Sequence, residues 1–207
     1  MLNSYDRIAP IYSLLGRLVY GKSLLEIQFE LISKIPKQGS LLILGGGDGK
    51  ILPLIFKTSP QLQLIYVEAS SVMIKLAIKN SPREQNILFV HSDNFDYPTE
   101  HIDYVYAGFI FDVFNEQKIS YIINKIESSH TNNLTWYVVD FDLSQNTNLL
   151  GIRRIQIKLS ILFFKITTEH SIKTLPKVFQ IFRQNGYNTL KYNTLKRGFL
   201  RSEVFKL

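Results

Sequence analysis

Short apolar runs alternate with amphipathic stretches between residues 41 and 140. Each run is about four to eight residues long and is rich in β-branched and aromatic side chains. Apolar residues at consecutive positions are typical of strands covered on both faces, so the pattern predicts five buried strands. The runs are LLIL (41–44), LQLIYV (62–67), NILFV (86–90), IDYVYAGF (102–109) and LTWYVV (134–139).

The stretches that separate these runs have helical spacing. The longest of them carries four isoleucines on one stripe, with lysines and a glutamate outside it. Because strands that alternate with helices form parallel sheets with helices on both faces, the pattern predicts an α/β fold. The stretches are KILPLIFKTS (50–59), SSVMIKLAIKN (70–80) and EQKISYIINKIESS (116–129).

Both ends of the chain depart from this alternation. Residues 1–37 are predicted to form helices without a strand, and Ser23 with Glu26 makes a candidate capping box for the second helix. Residues 152–166 are predicted to be helical, and SIKTLPKVFQIFRQNG is predicted to form a helix that stops at Gly186. Two β-type runs around a short glycine turn then predict a terminal antiparallel hairpin.

The composition of the chain excludes several kinds of functional site. The chain has no cysteine, which excludes disulfides, thiolate zinc sites and cysteine nucleophiles. No N-terminal stretch has the pattern of a signal peptide, and no apolar run approaches the roughly 18–20 residues of a membrane span. We therefore expect a cytoplasmic protein.

Positive charge is concentrated towards the C-terminus. Residues 151–207 hold 12 basic and 2 acidic residues, a balance of +10, whereas residues 1–150 hold 12 and 15, a balance of −3. A basic face would suit an anionic partner such as a membrane surface, a nucleic acid or an acidic substrate. A solvated, lysine-rich surface is the alternative interpretation.

Four glycines lie between the first predicted strand and the helix that follows it, in LLILGGGDGKIL (41–52). A P-loop is excluded because Gly49-Lys50 is followed by isoleucine, and the G-x-G-x-x-G fingerprint fails at position 50 or 48. The remaining pattern is G-x-G-x-G, formed by Gly45, Gly47 and Gly49. A turn without side chains at the carboxyl edge of a parallel sheet is where α/β proteins bind ligands.

This pattern resembles the glycine motif of class I S-adenosylmethionine-dependent methyltransferases. The resemblance implies a doubly wound, mostly parallel, seven-stranded α/β sheet that is Rossmann-like, with N-terminal cap helices and a C-terminal antiparallel hairpin. It also implies S-adenosyl-L-methionine as cofactor and S-adenosyl-L-homocysteine as product. The backbone of Gly45, Gly46 and Gly47 would then face the amino-acid arm of the cofactor.

The resemblance also divides the chain. Its length of 207 residues fits one domain, and we expect a single methyltransferase domain over residues 1–207. Residues 1–37 would be a helical cap and residues 38–150 the cofactor-binding core. Residues 151–207 would supply a lid helix, the last helix and the hairpin.

Further residues fall where this family binds its cofactor. Glu68 ends the second predicted strand, and the resemblance implies that it accepts hydrogen bonds from the ribose hydroxyls, with Ala69 beside it. After the third strand, Asp93 would meet the adenine amino group, and Asn94 or Phe95 would add a backbone or ring contact; a simple turn is the alternative interpretation of Asp-Asn. Glu68, Ala69, Asp93 and Asn94 are candidate cofactor ligands.

The fourth strand and the N-terminus complete the candidate site. Ala107, Gly108 and Phe109 would pass beside the reactive end of the cofactor. The segment YDRIAPIYSLLGRLVYG resembles a closing segment of the quinone-biosynthesis-type methyltransferases, which implies that Tyr5 and Tyr12 lie near the sulfonium. Aromatic faces stabilise a cation in that position, whereas packing in the core is the alternative for each tyrosine.

One departure from the family concerns the first strand. The family usually carries an acid two residues before the first glycine, where it orders the glycine loop, and this chain has Ile43. Asp48 is a candidate substitute from within the loop. The missing acid keeps open a second hypothesis, a module that binds S-adenosylmethionine without catalysis.

Catalytic groups are less defined by the sequence. Methyl transfer to a phenol benefits from a general base. The candidate acids are Asp112 after strand four and Asp140 and Asp142 after strand five, and a structural role is the alternative for each. No serine-hydrolase G-x-S-x-G motif occurs. No metal site is expected, because the histidines lack metal-ligand spacing; they are His91, His101, His130 and His170.

The favoured function is methyl transfer to a small apolar or aromatic metabolite, such as a quinol, a phenol or a lipid-linked ring. The basic and apolar segment IRRIQIKLSILFFKI (152–166) would lie in the family's lid region and could rest on a membrane surface. An RNA or protein methyltransferase that uses the basic C-terminal region is the enzyme alternative, although nucleic acid is the less favoured partner. The sequence leaves open the acceptor atom and the oligomeric state.

Overall fold

We describe the fold from a computed structural model. The structure describes residues 22–82, 86–98, 101–130, 134–142, 144 and 175–207. The strands are β1 (Gln38–Leu44), β2 (Gln61–Glu68), β3 (Ile87–His91), β4 (Tyr104–Gly108), β5 (Thr135–Phe141), β6 (Asn188–Leu195) and β7 (Leu200–Lys206). The helices are α1 (Ser23–Ile32), α2 (Leu52–Thr58), α3 (Ser71–Asn80), α4 (Glu116–Ser128) and α5 (Val178–Gln184), with a 3₁₀ turn at Phe111–Val113.

The strands form one seven-stranded sheet in the order β3-β2-β1-β4-β5-β7-β6. Neighbouring strands among β1 to β5 are all parallel, whereas β7 runs antiparallel to both β5 and β6. The predicted doubly wound sheet with a C-terminal antiparallel hairpin is therefore confirmed. Strand order reverses between β1 and β4, and such switch points open a crevice at the carboxyl edge of a sheet.

Apolar side chains cover both faces of the sheet. In β1, Leu41 and Ile43 belong to one hydrophobic cluster, and Leu42 and Leu44 belong to the other. The first cluster includes residues of α1 and α2, and the second includes residues of α4 and α5. This two-sided burial is the physical reason for apolar residues at consecutive positions in the strands.

Two details of the predicted helices are wrong. Ser23 does not cap α1, because the helix already includes it and Lys22 precedes it without a side-chain hydrogen bond. The amide of Glu26 is bonded to the carbonyl of Lys22 instead. The last helix begins at Val178, later than predicted: Lys177 before it is not helical, with φ −85° and ψ 64°, and Pro176 disfavours helical geometry at Leu175.

Gly186 follows α5 with φ +90°, as expected for a helix stop. The hairpin turns through Lys196, Arg197 and Gly198, all with positive φ. The predicted cap segment before residue 22 and the predicted lid helix at 152–166 lie outside the described residues.

Candidate cofactor site

The glycine run forms a turn at the carboxyl end of β1. The amide of Gly45 donates to the carbonyl of Val67 at 2.9 Å, so the pairing of β1 with β2 continues one residue past Leu44. Gly45, Gly47 and Gly49 have φ of +59°, +66° and +76°. The G-x-G-x-G spacing thus corresponds to three left-handed positions, which residues with a Cβ rarely adopt.

Neighbouring groups approach this turn closely at three of its glycines, and at Gly45 a Cβ would overlap the side chain of Ile110. A Cβ on Gly46 would overlap the ring of Tyr66, and a Cβ on Gly49 would lie 2.6 Å from the Cα of Ala77 in α3. A Cβ on Gly47 would meet no described atom within 4 Å. The turn therefore packs against β2 and α3 and leaves its Gly47 side open.

The carboxylate of Glu68 binds this turn directly. Its Oε2 accepts a hydrogen bond from the Gly47 amide at 2.9 Å, and its Oε1 accepts one from the Ser70 amide at 2.9 Å. Burial raises the pKa of Glu68, although the amides of Ser70 and Gly47 act in the opposite direction. Because each carboxylate oxygen has a second lone pair, Glu68 retains acceptor capacity for hydroxyl groups of a ligand.

The turn after β3 lies next to the end of β2. The amide of Ser92 donates to the carbonyl of Glu68 at 3.1 Å. The Ser92 hydroxyl accepts bonds from the amides of Asn94 and Asp96, at 3.3 and 2.9 Å. Asp93 and Asn94 are both exposed on this turn. The structure thus brings these two candidates to the same edge of the sheet as Glu68.

Ala69 and the end of β4 frame the crevice from either side. The carbonyl of Ala69 lies 2.9 Å from Nε2 of His91. Ala107 is buried and pairs in register with Leu44, so β4 ends beside the glycine turn. A Cβ on Gly108 would lie 2.6 Å from the hydroxyl of Tyr106, so only glycine fits there without displacing that ring.

Asp112 and Asp140 form a buried pair of acids beyond this crevice, and each is 1% exposed. Asp140 accepts hydrogen bonds from the amides of Phe141 at 2.8 Å and Phe111 at 3.2 Å. Burial raises its pKa to about 7. Burial and the neighbouring Asp140 raise the pKa of Asp112 well above its usual value, although the nearby amides of Asp112 and Val113 act in the opposite direction. Neither carboxyl oxygen makes a hydrogen bond of ordinary geometry with the described residues.

Comparison with solved structures identifies the fold. The mitomycin 7-O-methyltransferase aligns at a TM-score of 0.71 and 11% identity, over 99% of this chain and 60% of that one. A methyltransferase in complex with the Trm112 activator of Haloferax volcanii aligns at 0.72 and 12%, over 100% and 98%. Human N-acetylserotonin methyltransferase, solved with S-adenosylmethionine, aligns at 0.64 and 13%, over 99% and 58%.

The chain has the class I methyltransferase fold. No protein-family model and no curated protein matches it. The chain spans 60% of the length of the mitomycin methyltransferase and 58% of the human one, so it corresponds to part of each.

Sequence reasoning missed two tyrosines of this methyltransferase fold. The Tyr66 hydroxyl donates to the carbonyl of Gly47 at 3.0 Å, and the Tyr106 hydroxyl donates to Oε1 of Gln28 at 3.0 Å. Period-two alternation placed Tyr66 on the face of Glu68. An aromatic residue within an apolar run nevertheless looks like ordinary core, so its polar end gave no signal.

The candidates Asp48, Tyr5 and Tyr12 remain to be placed. Asp48 is joined to Lys50 within the turn, and its carbonyl accepts a bond from Nδ2 of Asn80 at 2.8 Å. Tyr5 and Tyr12 lie outside the described residues.

Within the described ranges there is no cluster of possible metal ligands, and no helix is long and apolar enough to cross a membrane.

Proposed function

We propose that this protein is an S-adenosylmethionine-dependent methyltransferase that acts on a small apolar or aromatic metabolite. The observation that carries the proposal is the contact between Glu68 and the open Gly47 turn. A carboxylate with spare lone pairs stands at one end of a bare stretch of backbone. That arrangement suits a ligand with hydroxyl groups at one end and a flexible charged arm at the other.

Each part of the cofactor has candidate partners in this crevice. Glu68 and the neighbouring Ala69 would receive the ribose, and the backbone of Gly45, Gly46 and Gly47 would receive the amino-acid arm. Asp93 and Asn94 would contact the adenine, while Ala107 and Gly108 would flank the reactive end. Tyr12 would close over the sulfonium, a role that stays a prediction because it lies outside the described residues.

The chemistry asks little of the protein beyond placement. The cofactor supplies a methyl group on a good leaving group, and the chain holds an acceptor in line with it and excludes water. Such positioning is worth up to about 7–11 kcal/mol in ideal systems. For an acceptor that carries a proton, Asp112 and Asp140 stay the candidate proton acceptors, and Asp140 is the better matched of the two because burial raises its pKa to about 7, near neutral pH.

The named neighbours support a small-molecule acceptor. One is a 7-O-methyltransferase of mitomycin and another methylates N-acetylserotonin, by name. Both are longer than this chain, so the comparison supports a class of acceptor rather than a particular one. Contact with a membrane surface through residues 152–166 and a cytoplasmic location stay predictions.

Titration calorimetry with S-adenosylmethionine and S-adenosylhomocysteine tests the proposal. We expect binding by the wild-type protein, and Glu68→Ala should weaken it about 5- to 150-fold, equivalent to roughly 1–3 kcal/mol from lost charge-assisted hydrogen bonds. Glu26→Ala is the matched control, since Glu26 is an exposed acid on α1. It should bind as the wild type does.

The outcomes separate the hypotheses. An unchanged dissociation constant in Glu68→Ala would remove this carboxylate from the site. Wild-type protein that binds neither ligand contradicts the proposed function. Binding without turnover of any small phenol, quinol or lipid-linked acceptor would favour the non-catalytic module, which the apolar Ile43 keeps in consideration.

A further inference from the structure

A row of aromatic side chains crosses the sheet just below the glycine turn. Ile43 of β1 pairs in register with Tyr66 of β2 on one side and with Tyr106 of β4 on the other, and Tyr106 pairs with Tyr137 of β5. Side chains that are paired in register point to the same face of a sheet. All four belong to one hydrophobic cluster and are at most 4% exposed.

Tyr66 differs from the other two tyrosines because its hydroxyl reaches the turn itself. It donates to the carbonyl of Gly47 at 3.0 Å, and its ring occupies the space that a Cβ on Gly46 would need. The hydroxyls of Tyr106 and Tyr137 instead bond to Gln28 and to the carbonyl of Lys34, at 3.0 and 3.3 Å. One tyrosine of the row therefore connects the core to the turn.

Two side chains of one strand hold the backbone of Gly47 from both ends. Glu68 accepts from its N–H at 2.9 Å, and Tyr66 donates to its C=O at 3.0 Å. Residues two apart on a strand point to the same side, which explains how both reach a single glycine. Ile43 of β1 carries no polar group on this face, so the first strand contributes nothing comparable.

The Tyr66 hydroxyl is protonated and can therefore donate a hydrogen bond. Burial raises the pKa of its phenol far above the ordinary value, and the neighbouring carboxylates of Glu68 and Asp48 raise it further. The hydroxyl is therefore protonated at neutral pH, where it donates to the Gly47 carbonyl.

We propose that Tyr66 is a positioning residue whose hydroxyl holds the Gly47 peptide in the orientation that receives the cofactor. Gly47 has a left-handed backbone and an open side, so its carbonyl depends on the Tyr66 bond for its direction, while Glu68 holds its N–H. The inference rests on the proposed function for its ligand. The clamp itself is a property of the ligand-free protein.

The test compares Tyr66→Phe with Tyr137→Phe. Both variants keep a buried ring in the same row and lose a hydroxyl that donates to a backbone carbonyl. Calorimetry with S-adenosylhomocysteine should show about 3- to 10-fold weaker binding for Tyr66→Phe, the fold-change expected from loss of one preorganising hydrogen bond. Tyr137→Phe should bind as the wild type does, although both variants should melt at a lower temperature.

Amide hydrogen exchange in the ligand-free protein supplies the second readout. The amide of Gly47, which donates to Glu68, should exchange faster in Tyr66→Phe and at the wild-type rate in Tyr137→Phe. Unchanged affinity in Tyr66→Phe would overturn the positioning role, and so would equal losses of affinity in both variants. If the wild-type protein bound no ligand, the proposed function would fail, while faster exchange at Gly47 would still establish the clamp.

Discussion

Asp112 is the least satisfied polar side chain among the described residues. It is 1% exposed, and neither of its carboxyl oxygens makes a hydrogen bond of ordinary geometry there. A buried polar group without a partner costs about 1–3 kcal/mol, and more when it is charged. Asp140 beside it has its pKa raised to about 7 by burial. The two acids thus place a pH-dependent penalty at the carboxyl edge of β4 and β5.

The sign of this effect follows from the direction of the pKa shifts. A carboxyl group whose folded pKa is raised contributes its full stability below the unfolded pKa of about 3.9, and that contribution is lost as pH rises through the folded pKa. For Asp140 the window runs from about pH 4 to about pH 7. The wild-type protein should therefore be less stable at pH 8 than at pH 5.

Asp112→Asn removes one of the two charges that burial disfavours. We expect it to raise the free energy of unfolding at pH 8 by at least about 1 kcal/mol, and by less at pH 5. Urea denaturation at both pH values measures this difference. The control is Asp96→Asn, because Asp96 is 71% exposed and should respond equally at both pH values. A larger gain for Asp112→Asn at pH 5 would contradict the direction of its pKa shift.

At the scale of elements, the packing of α3 against the glycine turn depends on Gly49. Its φ is +76°, and a Cβ there would lie 2.6 Å from the Cα of Ala77. Gly49→Ala combines a left-handed alanine, about 1–2 kcal/mol, with an overpacked contact of about 1–3 kcal/mol. We expect a destabilisation of about 2–5 kcal/mol, measured by thermal or urea unfolding.

Gly47→Ala is the matched variant for that experiment. Its φ of +66° imposes a similar backbone strain, whereas its Cβ would meet no described atom within 4 Å. It should lose only about 1–2 kcal/mol of stability. Equal destabilisation by the two alanines would show that α3 does not rest on the Gly49 backbone.

Elements with strong periodicity could be predicted from the sequence, and their ends could not. Consecutive apolar residues identified β1, β2, β4 and β5 because both sheet faces are covered there, and the strand boundaries moved by only a few residues. The third strand exists as predicted, but its predicted burial is wrong, because β3 lies at the edge of the sheet and Leu88 is 41% exposed. The start of α5 was misjudged because a periodic pattern continued upstream of Pro176. The cap of α1 was misjudged because Ser23 has the right side chain but lies inside the first turn.

Some residues of the candidate site could likewise be predicted from the sequence, and others could not. The glycines and Glu68 could be located because backbone freedom and an acid at a strand end leave marks in the sequence. Tyr66 could not, because its contact with Gly47 depends on the register of β2 against β1 and on the ring passing under Gly46. The partnerless state of Asp112 likewise follows only from three-dimensional packing.

At the scale of the whole molecule, a buried ionic network joins the terminal hairpin to the rest of the sheet. Glu203 of β7 is 1% exposed and accepts hydrogen bonds from Arg183 of α5 at 2.7 and 2.9 Å and from Thr189 of β6 at 2.9 Å. Arg201 bonds to Glu203 and to Asp142. Because a buried charge must keep its partners, this network holds α5, β6 and β7 in one arrangement.

The single tryptophan reports on that arrangement. Trp136 of β5 is fully buried, its Nε1 donates to Oε1 of Glu127 in α4 at 2.8 Å, and its ring lies edge-on to Phe182 of α5 with centroids 5.3 Å apart. The Tyr187 hydroxyl ahead of β6 donates to the same oxygen of Glu127 at 2.5 Å. The indole thus contacts elements from both the parallel sheet and the C-terminal part.

We expect this sheet to unfold as one cooperative unit, since its ladder is continuous from β3 to β6. Urea titrations followed by Trp136 fluorescence and by far-ultraviolet circular dichroism should therefore give the same midpoint. Saturating S-adenosylhomocysteine should shift both midpoints upwards together, by about 2.7 kcal/mol of stability at a concentration of 100 Kd. Separate midpoints, or a ligand that moves only the dichroism signal, would mean that the hairpin and α5 unfold independently of the crevice beside β1.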